Sequence, residues 1–99
     1  MNVAIDYDDT YTLDKQLWNH IIKMFIDGGH NVFCVTKRYK EIADDIREDM
    51  NIPIVYATRS KLEAVANANI RIDVWIDDKP QSIIPYKATT PLNKGFQRW

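Results

Sequence analysis

Four short apolar runs punctuate the chain: Val3-Ala4-Ile5, Val32-Phe33-Cys34-Val35, Ile54-Val55-Tyr56-Ala57 and Val74-Trp75-Ile76. Each is rich in β-branched or aromatic side chains, and none alternates strictly with polar ones. Such runs predict strands covered on both faces, the pattern of a parallel sheet. Between them, apolar positions recur at helical spacing. Leu17, Trp18, Ile21, Ile22 and Phe25 form one stripe, which Gly28-Gly29 is placed to stop. Ile42, Ala43, Ile46 and Met50 form a second, and Pro53 marks where the next strand begins. Leu62, Val65 and Ala66 form a third, shorter stripe. Ser60 followed by Glu63 fits a capping box, which makes Ser60 the N-cap and Lys61 the first helical residue.

Strands alternating with helices predict βαβ units with right-handed crossovers. The expected architecture is α/β: a three-layer Rossmann-like fold around an open, mainly parallel sheet of about four or five strands. Beyond Pro80 the period is lost. Pro80 is expected to open one helical turn through Ile84, Tyr86–Thr89 to add a short edge strand, and Phe96 and Trp99 to dock on the body. No repeat, linker or low-complexity stretch interrupts the pattern, so residues 1–99 are expected to form one domain.

In an open α/β sheet, ligands bind beyond the carboxyl ends of the strands, near the point where strand order reverses. The polar residues that follow each apolar run therefore carry the information. After the first run comes Asp6-Tyr7-Asp8-Asp9-Thr10, and after the second Thr36-Lys37-Arg38. Thr58-Arg59-Ser60-Lys61 follows the third run, and Asp77-Asp78-Lys79 the fourth. A single Asp after a strand is usually a cap or turn former. Two acidic clusters at neighbouring strand ends repel one another unless a cation or a basic group neutralises them. Magnesium fits such a site, because it is a hard ion that takes one or two carboxylates and keeps several waters. Lys61, in a first helical turn, opposes the helix dipole unless it faces those carboxylates and an anionic ligand; the alternative is a solvated surface lysine.

Composition narrows the field further. Hydrophobic residues make up 45% of the 99 positions and charged ones 27%, which is too apolar for a disordered chain. A net charge of −1 creates no field for a polyanion. The apolar runs fall far short of the ~20 residues that span a bilayer. With a lone Cys34, no basic leader and no His or Cys cluster, the expectation is a soluble cytoplasmic protein with no membrane partner and no zinc framework. His20, His30 and Cys34 are read as structural.

These residues, in this order, resemble the haloacid dehalogenase (HAD) superfamily of phosphotransferases. The family's Asp-x-Asp-x-Thr motif looks like Asp6-Tyr7-Asp8-Asp9-Thr10, its strand-ending Thr or Ser like Thr36, its basic residue near a helix start like Lys61, and its late acidic pair like Asp77-Asp78. The resemblance runs from residue 2 to about residue 80. It implies a Mg²⁺-dependent phosphatase that hydrolyses phosphomonoesters through an aspartyl-phosphate on Asp6. Asp8 would be the general acid and base and would ligate the metal through its backbone carbonyl. Asp6, Asp77 and Asp78 would hold Mg²⁺ through their carboxylates. Thr36, Lys61 and backbone N–H groups after Asp6, at Tyr7, would hold the phosphoryl oxygens, with Thr10 bracing the loop so that Asp8 stays aimed. Lys37 is a further candidate to bind the substrate phosphate, and apart from the resemblance the basic patch of Lys37, Arg38 and Lys40 is expected to steer a phosphorylated substrate toward the site.

Only 27 residues separate Asp8 from Thr36, and 24 separate Thr36 from Lys61. The family inserts its cap domains at these two places, so the resemblance is to a small capless member. The substrate would be a small molecule or a phosphorylated macromolecule. The closing Pro91–Trp99 stretch also resembles the end of 5′-deoxyribonucleotidases, which puts nucleotides among the candidates. Two other readings compete. A receiver-like signalling domain carries its acceptor Asp at the end of the third strand, where this chain has Ala57-Thr58. A catalytically inactive HAD-like binding or regulatory module would share the residues without turnover. Nucleic acid enters only as a substrate, since Tyr39 alone makes no stacking platform for the basic patch.

Overall fold

A computed structural model describes residues 1–85. The strands are β1 (Asn2–Ile5), β2 (Asn31–Thr36), β3 (Ile54–Tyr56) and β4 (Val74–Ile76), and the helices are α1 (Lys15–Asp27), α2 (Asp44–Asp49) and α3 (Lys61–Asn67). Short 3₁₀ turns at Tyr11–Leu13, Lys40–Ile42 and Pro80–Ser82 complete the set among the described residues. All strand pairs are parallel, in the order β3-β2-β1-β4. This is an open, parallel α/β sheet of the Rossmann-like kind. The chain steps outward from β1 through β2 to β3, then returns to the far side of β1. That reversal makes the gap between β1 and β4 the topological switch point.

Alternation along the strands divides the core into two layers. Val3, Ile5, Val32, Cys34 and Ile54 point to one face and pack against Trp18, Ile22 and Phe25 of α1 and Ile46 of α2. Ala4, Phe33, Val35, Val55 and Trp75 point to the other, against Val65 of α3 and the loop residues Ile70 and Ile72. The two central strands are covered on both faces as expected: Val3, Ala4, Ile5, Cys34 and Val35 are buried. The expectation does not hold for β3 and β4. Among the described residues these are the edge strands, each with a neighbour on one side only, and they are half-buried apart from the exposed Val74.

Four stripe residues also differ from expectation. Leu17 and Ile42 are exposed, and on α3 both Leu62 and Ala66 are exposed. The inner face of α3 is set by Lys61 and Val65, one turn apart and both buried. A charged residue occupies the core-facing position, so an apolar stripe read from the sequence misplaces the face. Residues 40–42 form a 3₁₀ turn rather than the start of α2, which leaves Ile42 outside the helix.

The helix ends follow local chemistry. Asp14 caps α1 by accepting the Leu17 N–H at 3.1 Å. At its other end, His30 N–H donates to Phe25 O and Gly29 N–H to Ile26 O, the paired bonds of a Schellman motif. Gly29 holds the left-handed position with φ of 87°. The end of α3 repeats this arrangement with Asn69 at φ 58°: Ile70 N–H donates to Val65 O, and Asn69 N–H to Ala66 O. Ser60 caps α3 by accepting the Glu63 N–H at 3.1 Å, while the Glu63 carboxylate takes Arg59 instead of reaching back. Pro80 opens the last 3₁₀ turn, which ends at Ser82. No helix among the described residues is long and apolar enough to cross a membrane. The expected strand at Tyr86–Thr89 and the docking of Phe96 and Trp99 lie outside the described residues.

Candidate active site

Strand register builds the centre of the site. Ile5 pairs with Ile76 across the switch point, and the Asp6 N–H continues the ladder by donating to Ile76 O at 2.9 Å. The next residue on each strand is an aspartate, so Asp6 and Asp77 leave the sheet side by side. Adjacent strands lie about 4.8 Å apart. One carboxylate oxygen from each of Asp6, Asp77 and Asp78 lies within 4.8 Å of the others.

Lys61 sits among them. Its Nζ donates to Asp6 Oδ1 at 2.8 Å and to Asp77 Oδ2 at 2.5 Å, and its side chain is only 3% exposed. The solvated-lysine alternative is therefore excluded. Lys61 enters from the first turn of α3, which lies over the sheet and aims the side chain across the strand ends. The last 3₁₀ turn holds that helix start in place, with Leu62 N–H donating to Ile83 O at 2.8 Å.

Thr10 closes the arrangement. Its hydroxyl accepts the Asp78 N–H at 3.2 Å and lies 3.2 Å from Asp6 Oδ2 and 3.4 Å from Asp78 Oδ1. The turn that returns Thr10 to the sheet has Asp9 at φ 60°, a left-handed position that Asp tolerates better than most residues. Thr10 thus braces Asp6 and Asp78, whereas the sequence reading gave it Asp8.

Asp8 is held from elsewhere. Arg38 donates to both of its oxygens, from Nη2 at 2.6 Å and from Nε at 3.2 Å. The other edge of the same guanidinium holds Asp45 and the Ile42 carbonyl. Arg38 is therefore engaged on both sides and does not belong with Lys37 as a steering cation. Thr36 is buried at the end of β2, and its Oγ1 accepts the Arg38 N–H at 3.0 Å.

These groups line one cleft of about 300 Å³ at the carboxyl edge of the sheet. Asp6, Asp8, Thr36, Lys37, Lys61, Asp77 and Asp78 all line it. Asp9, Arg38, Lys79 and Ser82 also line it; of these the sequence predicts a part for Arg38 alone, as a steering cation. Ser82 gave no signal, because its place depends on how the turn after Pro80 folds back. The Tyr7 side chain turns away: it is buried, stacks on Tyr11 with centroids 5.5 Å apart, and donates to Asp49 at 2.5 Å. Asp49 also takes Lys15 at 2.7 Å. Any contact of residue 7 with a ligand would come from its backbone, the group to which the sequence reading assigned it.

Electrostatics follow from burial. Burial pushes the Asp6 carboxyl up to about 6 against the opposing pull of Lys61, and the Asp77 and Asp78 carboxylates add to the rise. For Lys61, burial works against the charge, but the hydrogen bonds to Asp6 and Asp77 outweigh it and leave the ammonium above its ordinary range. The buried Cys34 thiol is pushed up to about 12, chiefly by burial and further by Asp6. Cys34 supplies neither a thiolate ligand nor a nucleophile at neutral pH.

The donor set is all oxygen, crowded and short of positive charge. Three carboxylates against one lysine suit a small, hard divalent cation, and nothing soft is at hand among the described residues. No family model matches the chain, and no curated protein or solved structure matches it either.

Proposed function

We propose that this protein is a divalent-metal-dependent phosphomonoesterase of the HAD type, with Asp6 as nucleophile. The observation that carries the reading is the convergence of Asp6 and the Asp77-Asp78 pair at the switch point, with buried Lys61 bonded to both sides. A structural salt bridge needs one acid for one base. Here three acids crowd one lysine, in a cleft open to solvent at the edge where α/β sheets bind ligands.

The residues divide the chemistry among themselves. One Asp6 oxygen attacks phosphorus in line as the bond to the leaving oxygen breaks, and Asp8 gives that oxygen its proton. Water then attacks the aspartyl-phosphate, its proton passes to Asp8, and the bond to Asp6 breaks to release phosphate. Lys61 neutralises the phosphoryl oxygens, and the Thr36 hydroxyl, whose oxygen already accepts from Arg38, keeps its hydrogen for one of them. Asp6, Asp77 and Asp78 would hold Mg²⁺, which when bound offsets the charge of both the carboxylates and the substrate.

The described residues place α1 and α2, with short turns and strands, in the two gaps of the motif series, and neither gap holds an inserted domain. Selection among phosphoesters then rests on the rim and on the substrate itself. The test is release of phosphate from a panel of nucleotides, sugar phosphates, phosphopeptides and end-phosphorylated oligonucleotides. Turnover is expected with Mg²⁺, none with EDTA, and a loss of at least about 1,000-fold in Asp6→Asn. Cation binding without turnover on any ester would replace the enzyme with a binding module.

A further inference from the structure

Asp8 leaves the sheet on an exposed turn, with its side chain 51% accessible, and an unrestrained carboxylate there would rotate freely. It is not unrestrained. Arg38 grips both its oxygens in a fork, and the guanidinium is itself gripped from behind by both Asp45 oxygens, at 2.9 and 3.1 Å, and by the Ile42 carbonyl at 2.9 Å. The Tyr7 ring lies beneath, 5.7 Å from the guanidinium carbon, and the Arg38 backbone is pinned by Thr36. A planar fork fixes direction as well as charge, which a lysine at the same place would not do. A guanidinium committed on both edges is poorly placed to capture a passing anion.

We infer that Arg38 is a positioning residue: it holds the Asp8 carboxyl at the cleft through one oxygen while the other, leaving the fork, carries the proton to the leaving-group oxygen, with α2 as its anchor through Asp45. The inference rests on the phosphatase reading and adds the residue that directs its acid. It also explains why the segment after β2 folds into a 3₁₀ turn before α2. That turn brings the Ile42 carbonyl and Asp45 to the same guanidinium.

Leaving groups distinguish this role from a structural one. An aryl phosphate with a stable leaving anion needs little help from an acid, whereas an alkyl phosphate needs a well-aimed one. In Arg38→Met, kcat/KM for an alkyl phosphate should fall on the order of 100-fold, the scale set by misplacing a reacting group by about 1 Å. For p-nitrophenyl phosphate the fall should stay below about tenfold, and inhibition by inorganic phosphate should be unchanged. Arg38→Lys should recover only part of the loss, and Asp45→Asn should move the two substrates apart in the same direction.

Equal falls for both esters would make Arg38 structural, and a weakened inhibition by phosphate with the leaving-group ratio intact would make it a substrate ligand; either overturns the inference alone. A wild-type protein inactive on both esters would overturn the phosphatase reading and the inference together. The contact has its own readout in thermal melts. Asp8→Asn should shift the melting temperature in the Arg38 protein and leave it unmoved in Arg38→Met, and additive shifts would overturn the pairing.

Discussion

Asp6 is held in a state that suits two opposite demands. Burial raises its carboxyl to about 6, while Lys61 at 2.8 Å keeps the anion within reach at neutral pH. A carboxyl raised in the folded protein favours folding below its unfolded value of 3.8 and loses that contribution as pH rises through about 6. The metal-free protein should therefore lose on the order of 3 kcal/mol from this group between those limits. Asp6→Asn, which has nothing to ionise, should gain on the parent in chemical denaturation across that window, and parallel curves would contradict the shift. The same proton must leave when a cation binds, so Mg²⁺ affinity should rise with pH up to about 6 and then level off. Cys34 gives a simpler check. Buried and protonated, it should resist iodoacetamide at pH 8 in the native protein and react at once in denaturant; fast native labelling would show the strand to be open.

At the scale of elements, the helix ends carry the clearest local instructions. Gly29 sits at a left-handed position with open space where a Cβ would go, so Gly29→Ala should cost about 1 kcal/mol through the backbone alone. Asn69 holds the equivalent place after α3, and Asn69→Gly should be neutral or stabilising by up to about 1 kcal/mol in denaturant titrations. If both substitutions lower stability alike, the Schellman geometry assigned to these ends is wrong. The Gly28-Gly29 stop, Pro53, the Ser60 cap and the four strands were legible in the sequence, because each acts within a few residues; the Asn69 stop was not among the expectations. Burial of individual stripe residues was less so. Leu17, Ile42, Leu62 and Ala66 fit a helical period but face outward, since the period alone does not say where the sheet lies. α3 is the sharpest case: its inner face is read correctly only if the lysine is counted as buried.

For the whole molecule, the strand order decides the site. The run Asp6-Tyr7-Asp8-Asp9-Thr10 and the pair Asp77-Asp78 lie about seventy positions apart in sequence, and parallel pairing of β1 with β4 brings them together. The sequence showed which acids follow strands. It did not show that Ile5 and Ile76 share a register, that Thr10 serves Asp6 and Asp78, or that Arg38 holds Asp8. Those contacts need the third dimension, as does the position of Ser82 in the cleft. With the carboxylate cluster shared by residues that follow two strands, Asp77→Asn should weaken Mg²⁺ binding at least about tenfold by calorimetry, whereas Asp8→Asn, whose carboxylate faces Arg38, should change it little. Equal losses would move the cation toward the rim.

The phosphatase mechanism requires that Asp6 become phosphorylated beside a shared cation. Quenching the protein with substrate and Mg²⁺, reducing with borohydride, and mapping peptides by mass spectrometry would capture an acyl phosphate as a reduced residue. The prediction is reduction at Asp6 alone, absent with EDTA and absent in Asp77→Asn at low Mg²⁺. Turnover with Asp6 unmodified, or reduction mapped to Asp8, Asp77 or Asp78, would contradict it.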